Sequence, residues 1–138
     1  MSSETLTAGD AGRPRRGMLW GGYALSGLAV AFFLMDAAMK LMQLPVVAST
    51  GEALGWAADT ALPLGVTLLV CTVLYVVPQT AVLGAVLLTG YLGGAVATHV
   101  RVASPLFSHV LFGVYLGVMV WGGLWLRDAR LRAIFPLR

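Results

Sequence analysis

Residues 61–101, which decide the fold of this chain, read ALPLGVTLLVCTVLYVVPQTAVLGAVLLTGYLGGAVATHVR. They contain two continuously apolar runs, 61–77 and 80–100, that are separated by a turn at Pro78–Gln79–Thr80. Only helices and closed barrels satisfy all backbone polar groups inside a membrane. Because the runs do not alternate polar and apolar residues, a barrel is excluded. The segment therefore predicts two antiparallel membrane helices.

Two further apolar runs, residues 18–39 and 105–126, flank this segment. A helix needs about 20 apolar residues to cross the hydrocarbon core, so each run is long enough for one crossing. The whole chain of 138 residues is 59% hydrophobic and 11% charged, with a mean hydropathy of +0.86. A soluble domain has roughly 25% charged residues. These features predict an all-α integral membrane four-helix bundle and exclude a soluble globular protein.

The basic residues predict the orientation of this bundle. Seven of the nine lie in the two terminal segments: Arg13, Arg15, Arg16, Arg127, Arg130, Arg132 and Arg138. Basic residues near span ends stay in the cytoplasm, and an even number of spans places both termini on that side. We therefore expect a disordered cytoplasmic tail over 1–17, a membrane domain over 18–132 and a basic cytoplasmic tail over 133–138. The same placement favours a lipid bilayer over nucleic acid as the partner.

Residues 32–43, FFLMDAAMKLMQ, carry charge at the end of the first run. Asp36, Lys40 and Gln43 recur at i, i+4 and i+7, so they share one face of a helix. Ionisable residues inside a membrane are expensive to bury and are functional candidates by default. In apolar surroundings Asp36 is expected to be paired or protonated.

The same non-cytoplasmic end receives polar residues from the other runs. His99 and Arg101 end the third run, and His109 lies near the start of the fourth. We expect Arg101 to pair with Asp36, since a guanidinium tolerates partial burial better than an ammonium, and Lys40 to reach the interface. The alternative is an ordinary i,i+4 pair of Asp36 with Lys40. A structural role and a ligand- or proton-binding role of Asp36 are both compatible with the sequence.

The connection over residues 40–60 is expected on the non-cytoplasmic side. Its middle, VVASTGEALGW at 46–56, is compatible with an interfacial or re-entrant segment that holds Trp56 at headgroup depth. The short link over 101–104 is expected on the same side, so both connections border the polar residues.

Metal and thiol chemistry are not expected. His99, His109 and Asp36 would supply three ligands, but the neighbouring lysine and arginine would repel a cation. The single cysteine, Cys71, excludes an intrachain disulfide and a C-x-x-C redox pair.

Small residues predict where the helices pack. Gly90 and Gly94 form a G-x-x-x-G pattern in the third run, and Gly113 and Gly117 form another in the fourth. Such patterns let helix backbones approach closely, which favours packing within the bundle; a homodimer interface is the alternative. The face of Gly90 and Gly94 continues to Ala97, so it also forms a groove for another helix or a ligand tail.

Two stretches carry a resemblance to a known family, FFLMDAAMKLMQLP at 32–45 and CTVLYVVPQTAVLGAVLLTGYLGGAVATHVR at 71–101. The more specific motifs are P-x-T-x-x-L-G-A and G-G-A-x-x-T-H in the second stretch. On these residues the chain, from Trp20 to Arg132, resembles the DoxX-like family of small four-span bacterial membrane proteins. The family usually has a basic residue where Gln79 stands. The resemblance implies a four-helix bundle in a bacterial plasma membrane.

The resemblance also implies a class of chemistry. Related proteins include a membrane subunit of a thiosulfate:quinone oxidoreductase and redox-associated accessory proteins, which implies quinone or sulfur redox chemistry with a redox partner subunit. The positions that match the family pattern are Asp36, Lys40, Gly93, Gly94, Thr98, His99 and Arg101.

We therefore expect an accessory membrane protein that binds a quinone or another amphipathic small molecule at its polar cluster. Asp36 and His99 are the candidate catalytic residues. The candidate ligand-binding residues are Lys40, Arg101, His109, Gln43, Thr98, Gly94 and Tyr91. One alternative is an enzyme that uses Asp36 and His99 as acid and base for isomerisation, epoxide opening or quinone reduction. The other alternative is a structural or assembly subunit.

Overall fold

A computed structural model describes residues 16–136, which form helices joined by short turns and loops, without a strand in that range. Its six α-helices are α1 (Arg16–Leu41), α2 (Pro45–Ala53), α3 (Ala61–Val76), α4 (Ala81–Arg101), α5 (Phe112–Arg127) and α6 (Ala129–Ile134). A 3-10 turn, Pro78–Thr80, joins α3 to α4, and a π-helical turn, Leu106–Val110, precedes α5. The all-α prediction is confirmed.

The helix bounds differ from the predicted segments mainly at the two chain ends. Helix α1 begins at Arg16, within the predicted tail over 1–17, whose first 15 residues lie outside the described range. Helix α6 crosses the predicted boundary between residues 132 and 133, so this part of the expected tail is helical. Asp128 explains where α6 begins, because its side chain caps the helix by accepting a hydrogen bond from the backbone N–H of Arg130 at 2.9 Å.

Three segments between residues 16 and 136 are long and apolar enough to cross a membrane: Arg16–Leu41, Pro78–Arg101 and Leu106–Arg127. Helix α3 is also apolar but has 16 residues, fewer than the roughly 20 that a perpendicular crossing needs. Many large apolar side chains on the outer faces, such as Leu28, Val86 and Val118, are exposed. This distribution suits a lipid environment, because hydrocarbon makes no demand for a polar outer face.

The long helices pack pairwise around a common core. Helix α1 contacts α3 and α5, and α4 contacts the same two helices, so each of the four lies between two others. The largest fully buried side chains include Phe33 of α1, Tyr75 of α3, Leu88 of α4 and Leu124 of α5. The core is thus supplied by all four helices.

Glycines allow the closest helix crossings, but not all at the predicted positions. A Cβ at Gly84 would collide with the backbone of Tyr75 in α3, and one at Gly22 would lie 2.9 Å from the carbonyl oxygen of Gly123 in α5. By contrast, a Cβ at Gly90 or Gly94 would have no neighbour within 4 Å. The prediction that these two glycines pack inside the bundle is therefore wrong. The close contact between α3 and α4 lies instead at Gly84, one helical turn after the 3-10 turn that joins the two helices.

In the second predicted glycine pair, Gly113 and Gly117, only one member makes a close helix contact. A Cβ at Gly113 would lie 2.8 Å from Cγ2 of Val96 in α4, whereas at Gly117 it would be 4.0 Å from Leu92. Gly113 therefore permits close packing of α5 on α4, as the pattern predicts, and Gly117 makes only ordinary contact.

The hydroxyl of Tyr75 ties three helices together. It donates a hydrogen bond to the carbonyl oxygen of Val120 at 2.7 Å and lies 2.9 Å from the Ser26 hydroxyl. Since the tyrosine proton is used on Val120, Ser26 must donate to the tyrosine oxygen. Tyr75 is fully buried and Ser26 is 6% exposed, so both bonds form in apolar surroundings. The hydroxyl thereby joins α1, α3 and α5.

Replacing Tyr75 with phenylalanine should lower the free energy of unfolding by about 1–3 kcal/mol, because it leaves the buried Ser26 hydroxyl and Val120 carbonyl without this partner. Thermal unfolding in detergent measures the loss. The matched control is Tyr115→Phe, because Tyr115 is 46% exposed; that change should leave the midpoint unchanged. Equal effects of the two changes would show that the buried hydroxyl contributes nothing.

Candidate functional site

A cavity of about 670 Å³ lies at the end of the molecule where α1 and α4 finish. Its walls come from α1, α3, α4 and α5, and residues of α2 and the following loop line its outer side. Most of the wall is apolar, including Phe33, Leu68, Leu92 and Leu116. A cavity of this size and composition fits a small organic ligand.

Seven of the nine candidate site residues line this cavity. They are Asp36, Lys40, Tyr91, Gly94, Thr98, His99 and His109. The other two, Gln43 and Arg101, do not. The structure thus brings together polar residues from α1, α4 and the π-helical turn that are up to 73 positions apart in the chain (Asp36 to His109).

Asp36 pairs with Lys40 within α1. Lys40 Nζ donates to Asp36 Oδ2 at 2.5 Å. The side chain of Lys40 is 18% exposed and that of Asp36 is 25% exposed. The expected pair of Asp36 with Arg101 is therefore wrong, and the i,i+4 alternative is what forms. The pair needs no tertiary arrangement, because residues one helical turn apart are already neighbours. Lys40 consequently stays at the cavity wall instead of reaching outward.

Arg101 instead holds the segment that follows α2. Its Nη2 donates to the carbonyl oxygen of Leu54 at 2.7 Å. That carbonyl lies just beyond the end of α2, where backbone carbonyls lack intrahelical partners and accept from side chains. The adjacent Gly55 has a φ of +80°, a conformation that favours glycine, and a Cβ there would lie 3.1 Å from Arg101 Nη2.

Gln43 lies in the turn between α1 and α2. It is exposed and has a φ of +52°, in the left-handed region. The prediction that Gln43 lies on the same helix face as Asp36 and Lys40 is wrong, because α1 ends at Leu41, two residues before Gln43. Beyond that point helical spacing no longer decides the side-chain direction.

The two histidines lie side by side on the cavity wall. Their ring centroids are 5.7 Å apart, with planes inclined by 61°. Nδ1 of His99 is 3.0 Å from the Ser104 hydroxyl, and Nδ1 of His109 is 2.7 Å from the Ser108 hydroxyl. Among the described residues neither Nε2 has a hydrogen-bond partner, so each ring retains one nitrogen for a ligand.

A metal site receives little support from this geometry. Within residues 16–136 no group of three His, Cys, Asp or Glu side chains is placed to share an ion. Asp36, the third ligand of the sequence-based set, is engaged with Lys40. Cys71 is buried in α3, 6% exposed, and packs in the hydrophobic core.

Helix α2 is the part of the site that the sequence analysis missed. It covers Pro45–Ala53, has no buried residue, and contributes Val46, Val47 and Thr50 to the cavity lining. The signals for it were present in the sequence, because proline favours the first turn of a helix and glycine the position after its end. Pro45 and Gly55 occupy such places. The expected interfacial segment over 46–56 is thus helical over most of its length.

Apart from Tyr91, the aromatic side chains of the wall were not among the predicted site residues. Phe32 and Phe112 meet edge to face, with centroids 4.9 Å apart, and join α1 to α5 beside the cavity. Trp56, expected at headgroup depth, lines the cavity and is 42% exposed. An aromatic residue in an apolar run carries no sign of whether it faces lipid, core or cavity, so the sequence could not single these out.

Comparisons with known proteins identify the family of the chain. No curated protein and no solved structure matches the chain. The sequence model of the DoxX-like family matches residues 24–123, which include α1 from its third turn, all of α2, α3 and α4, and most of α5. This match covers well over half of the chain and includes every residue of the candidate site. The chain therefore belongs to the DoxX-like family.

Proposed function

We propose that this protein binds a lipid-soluble amphipathic small molecule in the cavity between α1, α3, α4 and α5. The observation that carries the proposal is the composition of the cavity wall: apolar over most of its surface, with the Asp36–Lys40 pair and two histidines on it. The apolar walls would take a hydrocarbon portion, and the donors of Lys40 and the histidines would orient a polar head.

In this proposal all four long helices cross the membrane, with both termini in the cytoplasm of a bacterial cell and the cavity on the opposite side of the plasma membrane. Helix α3 would span about 24 Å at 1.5 Å per residue. It would reach across with local thinning of the bilayer or with its flanking residues, at modest cost. The concentration of arginines at the termini supports this orientation.

A quinone is the ligand that these donors fit best. Its carbonyl oxygens accept hydrogen bonds, and Lys40 and the two imidazoles can donate them. Its tail would leave the cavity past Gly94, which lines the cavity and is also exposed on the outer face of α4. The chain supplies no pair of thiols for electron transfer, so a bound quinone would exchange electrons with a redox partner subunit, in an accessory role.

The test compares two neighbouring glycines. Gly93 and Gly94 both leave room for a side chain, since a Cβ at either position has no neighbour within 4 Å, but only Gly94 lines the cavity. Gly94→Leu should weaken the binding of a short-chain ubiquinone at least about tenfold, equivalent to 1.4 kcal/mol. Gly93→Leu should bind it like the parent. Titration of each variant with the quinone in detergent, with native mass spectrometry as the readout, measures both affinities.

The same titration can reject the proposal. Unchanged binding by Gly94→Leu, or an equal loss in both variants, would place the ligand elsewhere. Asp36→Asn and His99→Gln test the polar end, and Asp59→Asn is their control because Asp59 is exposed and lies outside the cavity lining.

A second candidate function is catalysis in the same cavity. The observation in its favour is that a carboxylate–ammonium pair and two imidazoles line one apolar cavity, where they can move protons. Asp36 would act as acid or base, and His99 would carry the second proton during isomerisation, epoxide opening or quinone reduction. If Asp36→Asn keeps full turnover of an identified substrate, this assignment fails.

The exposed face of α4 around Gly90 and Gly94 also fits a second copy of the chain, as small residues favour close helix association in lipid. A homodimer through this face would compete with the ligand tail for the same surface. Crosslinking in native membranes distinguishes the two uses: Gly90→Leu should abolish a crosslinked dimer if copies meet there. An unchanged crosslinking pattern would exclude this interface.

A further inference from the structure

A second polar cluster lies on α1, α3 and α5, toward the end of α1 opposite the cavity. Its centre is Arg127, the last residue of α5, which is partly buried. The Nε of Arg127 donates to the Ser26 hydroxyl at 3.2 Å. The guanidinium carbon lies 5.2 Å from the ring centroid of Tyr75 and 5.8 Å from that of Tyr23. We propose that Arg127 binds the phosphate group of an anionic phospholipid.

The charge of Arg127 lacks a counter-ion among the described residues. The ion pairs in that part of the chain are Asp36–Lys40 and Asp128–Arg130, and neither involves Arg127. A cation that has lost much of its hydration is costly unless it is paired. The two tyrosine rings compensate in part through cation–π attraction, but they do not neutralise the charge. The site therefore favours an anion from outside the described residues.

The terminal nitrogens of Arg127 have no hydrogen-bond partner among the described residues. Only Nε has a hydrogen-bond partner in the described range, and no buried side-chain nitrogen or oxygen there lacks one. Within the described residues, Nη1 and Nη2 therefore remain available to donate to a ligand. With Nε held by Ser26, the guanidinium keeps two terminal nitrogens that can donate in parallel to two phosphate oxygens.

The surroundings fit a lipid phosphate. Trp20 and Tyr23 on α1 are 72% and 60% exposed, and Ile134 and Phe135 are also exposed at the end of α6. Exposed aromatic rings beside arginines are typical of the headgroup region, where apolar rings contact acyl chains and cations contact phosphates. Free phosphate would use the same guanidinium but would gain nothing from these apolar side chains.

The experiment measures lipid retention by native mass spectrometry of the full chain taken from vesicles that contain equal amounts of phosphatidylglycerol and phosphatidylcholine. Arg127→Gln should reduce retained phosphatidylglycerol about tenfold, as expected when charge-assisted hydrogen bonds are lost. Arg130→Gln is the matched control, because it removes the same charge from a residue whose side chain is 92% exposed. That control should retain lipid like the parent.

Two further measurements, on an Arg127→Lys variant and in the presence of inorganic phosphate, separate the remaining explanations. Arg127→Lys preserves the charge but not the fork or the ring contacts, so it should also lose phosphatidylglycerol while keeping the parent elution volume in size exclusion. Inorganic phosphate should not compete with the retained lipid; full competition would identify free phosphate as the natural ligand. Equal retention by Arg127→Gln, Arg127→Lys and the parent, or an equal loss in Arg130→Gln, would overturn the proposal. None of these outcomes bears on the ligand in the cavity.

Discussion

Replacing Gly84 with alanine is expected to destabilise the protein more than any other single methyl group added to the glycines described above. The new Cβ would collide with backbone atoms of Leu74 and Tyr75 in α3. Backbone cannot move aside as the end of a flexible side chain can, so α3 and α4 must separate. Overpacking costs about 1–3 kcal/mol, and the upper end is expected for a backbone collision. Thermal unfolding in detergent should show the loss as a clear fall in the midpoint.

The control for this change is Gly93→Ala in the same helix. No atom lies within 4 Å of a Cβ at Gly93, so the added methyl meets no obstacle. Alanine has a higher helix propensity than glycine by about 0.8–1.0 kcal/mol, so this variant should be as stable as the parent or more so. A Gly84→Ala protein that unfolds at the parent temperature would show that the α3–α4 crossing is not the close contact described.

Removing Lys40 is also expected to destabilise the protein strongly, because it leaves the Asp36 carboxylate on an apolar cavity wall without its partner. Breaking a fully buried pair costs about 3–5 kcal/mol, and the partial exposure of this pair reduces the expected cost of Lys40→Met to about 2 kcal/mol. Asp36→Leu should cost less, since the long lysine side chain can turn its ammonium toward water. Equilibrium unfolding of both variants measures the difference.

The double variant Asp36→Leu/Lys40→Met should recover most of the stability that Lys40→Met loses, because neither charge then remains. The pair Asp128–Arg130, whose arginine side chain is 92% exposed, provides the comparison: Arg130→Met should cost less than about 0.5 kcal/mol, as is usual for surface pairs. If the double variant is no more stable than Lys40→Met, the penalty does not come from an unpaired Asp36.

Much of the helical architecture could be predicted from the sequence. The apolar run over 61–77 became α3 at Ala61–Val76, and the run over 80–100 became α4 at Ala81–Arg101. Long apolar runs predict helices well, because hydrocarbon leaves the backbone no other way to satisfy its polar groups. The meeting of Asp36 with His99 on one cavity followed from the same reasoning, since both end a predicted span at the same side.

The partners of individual side chains could not be predicted. Periodicity assigns Arg101 to a face of α4 but says nothing about where the carbonyl of Leu54 lies. In the same way, a G-x-x-x-G pattern marked Gly90 and Gly94 as a packing site. The close crossing occurs instead at Gly84, which is not part of a G-x-x-x-G pattern. Such contacts depend on how far neighbouring helices are rotated and shifted, and a single sequence does not contain these quantities in readable form.

The hydroxyl of Tyr75 has a consequence for the order of assembly during synthesis. Its acceptor, the carbonyl of Val120, is made 45 residues later, whereas its other partner, Ser26, is made 49 residues earlier. In a nascent chain that contains α1 and α3 but not yet α5, Ser26 is therefore the only one of these two partners present, and its hydroxyl can accept from the tyrosine or donate to it. The carbonyl of Val120 provides the acceptor for the tyrosine proton, so the link between the three helices is complete only once α5 has joined α1 and α3.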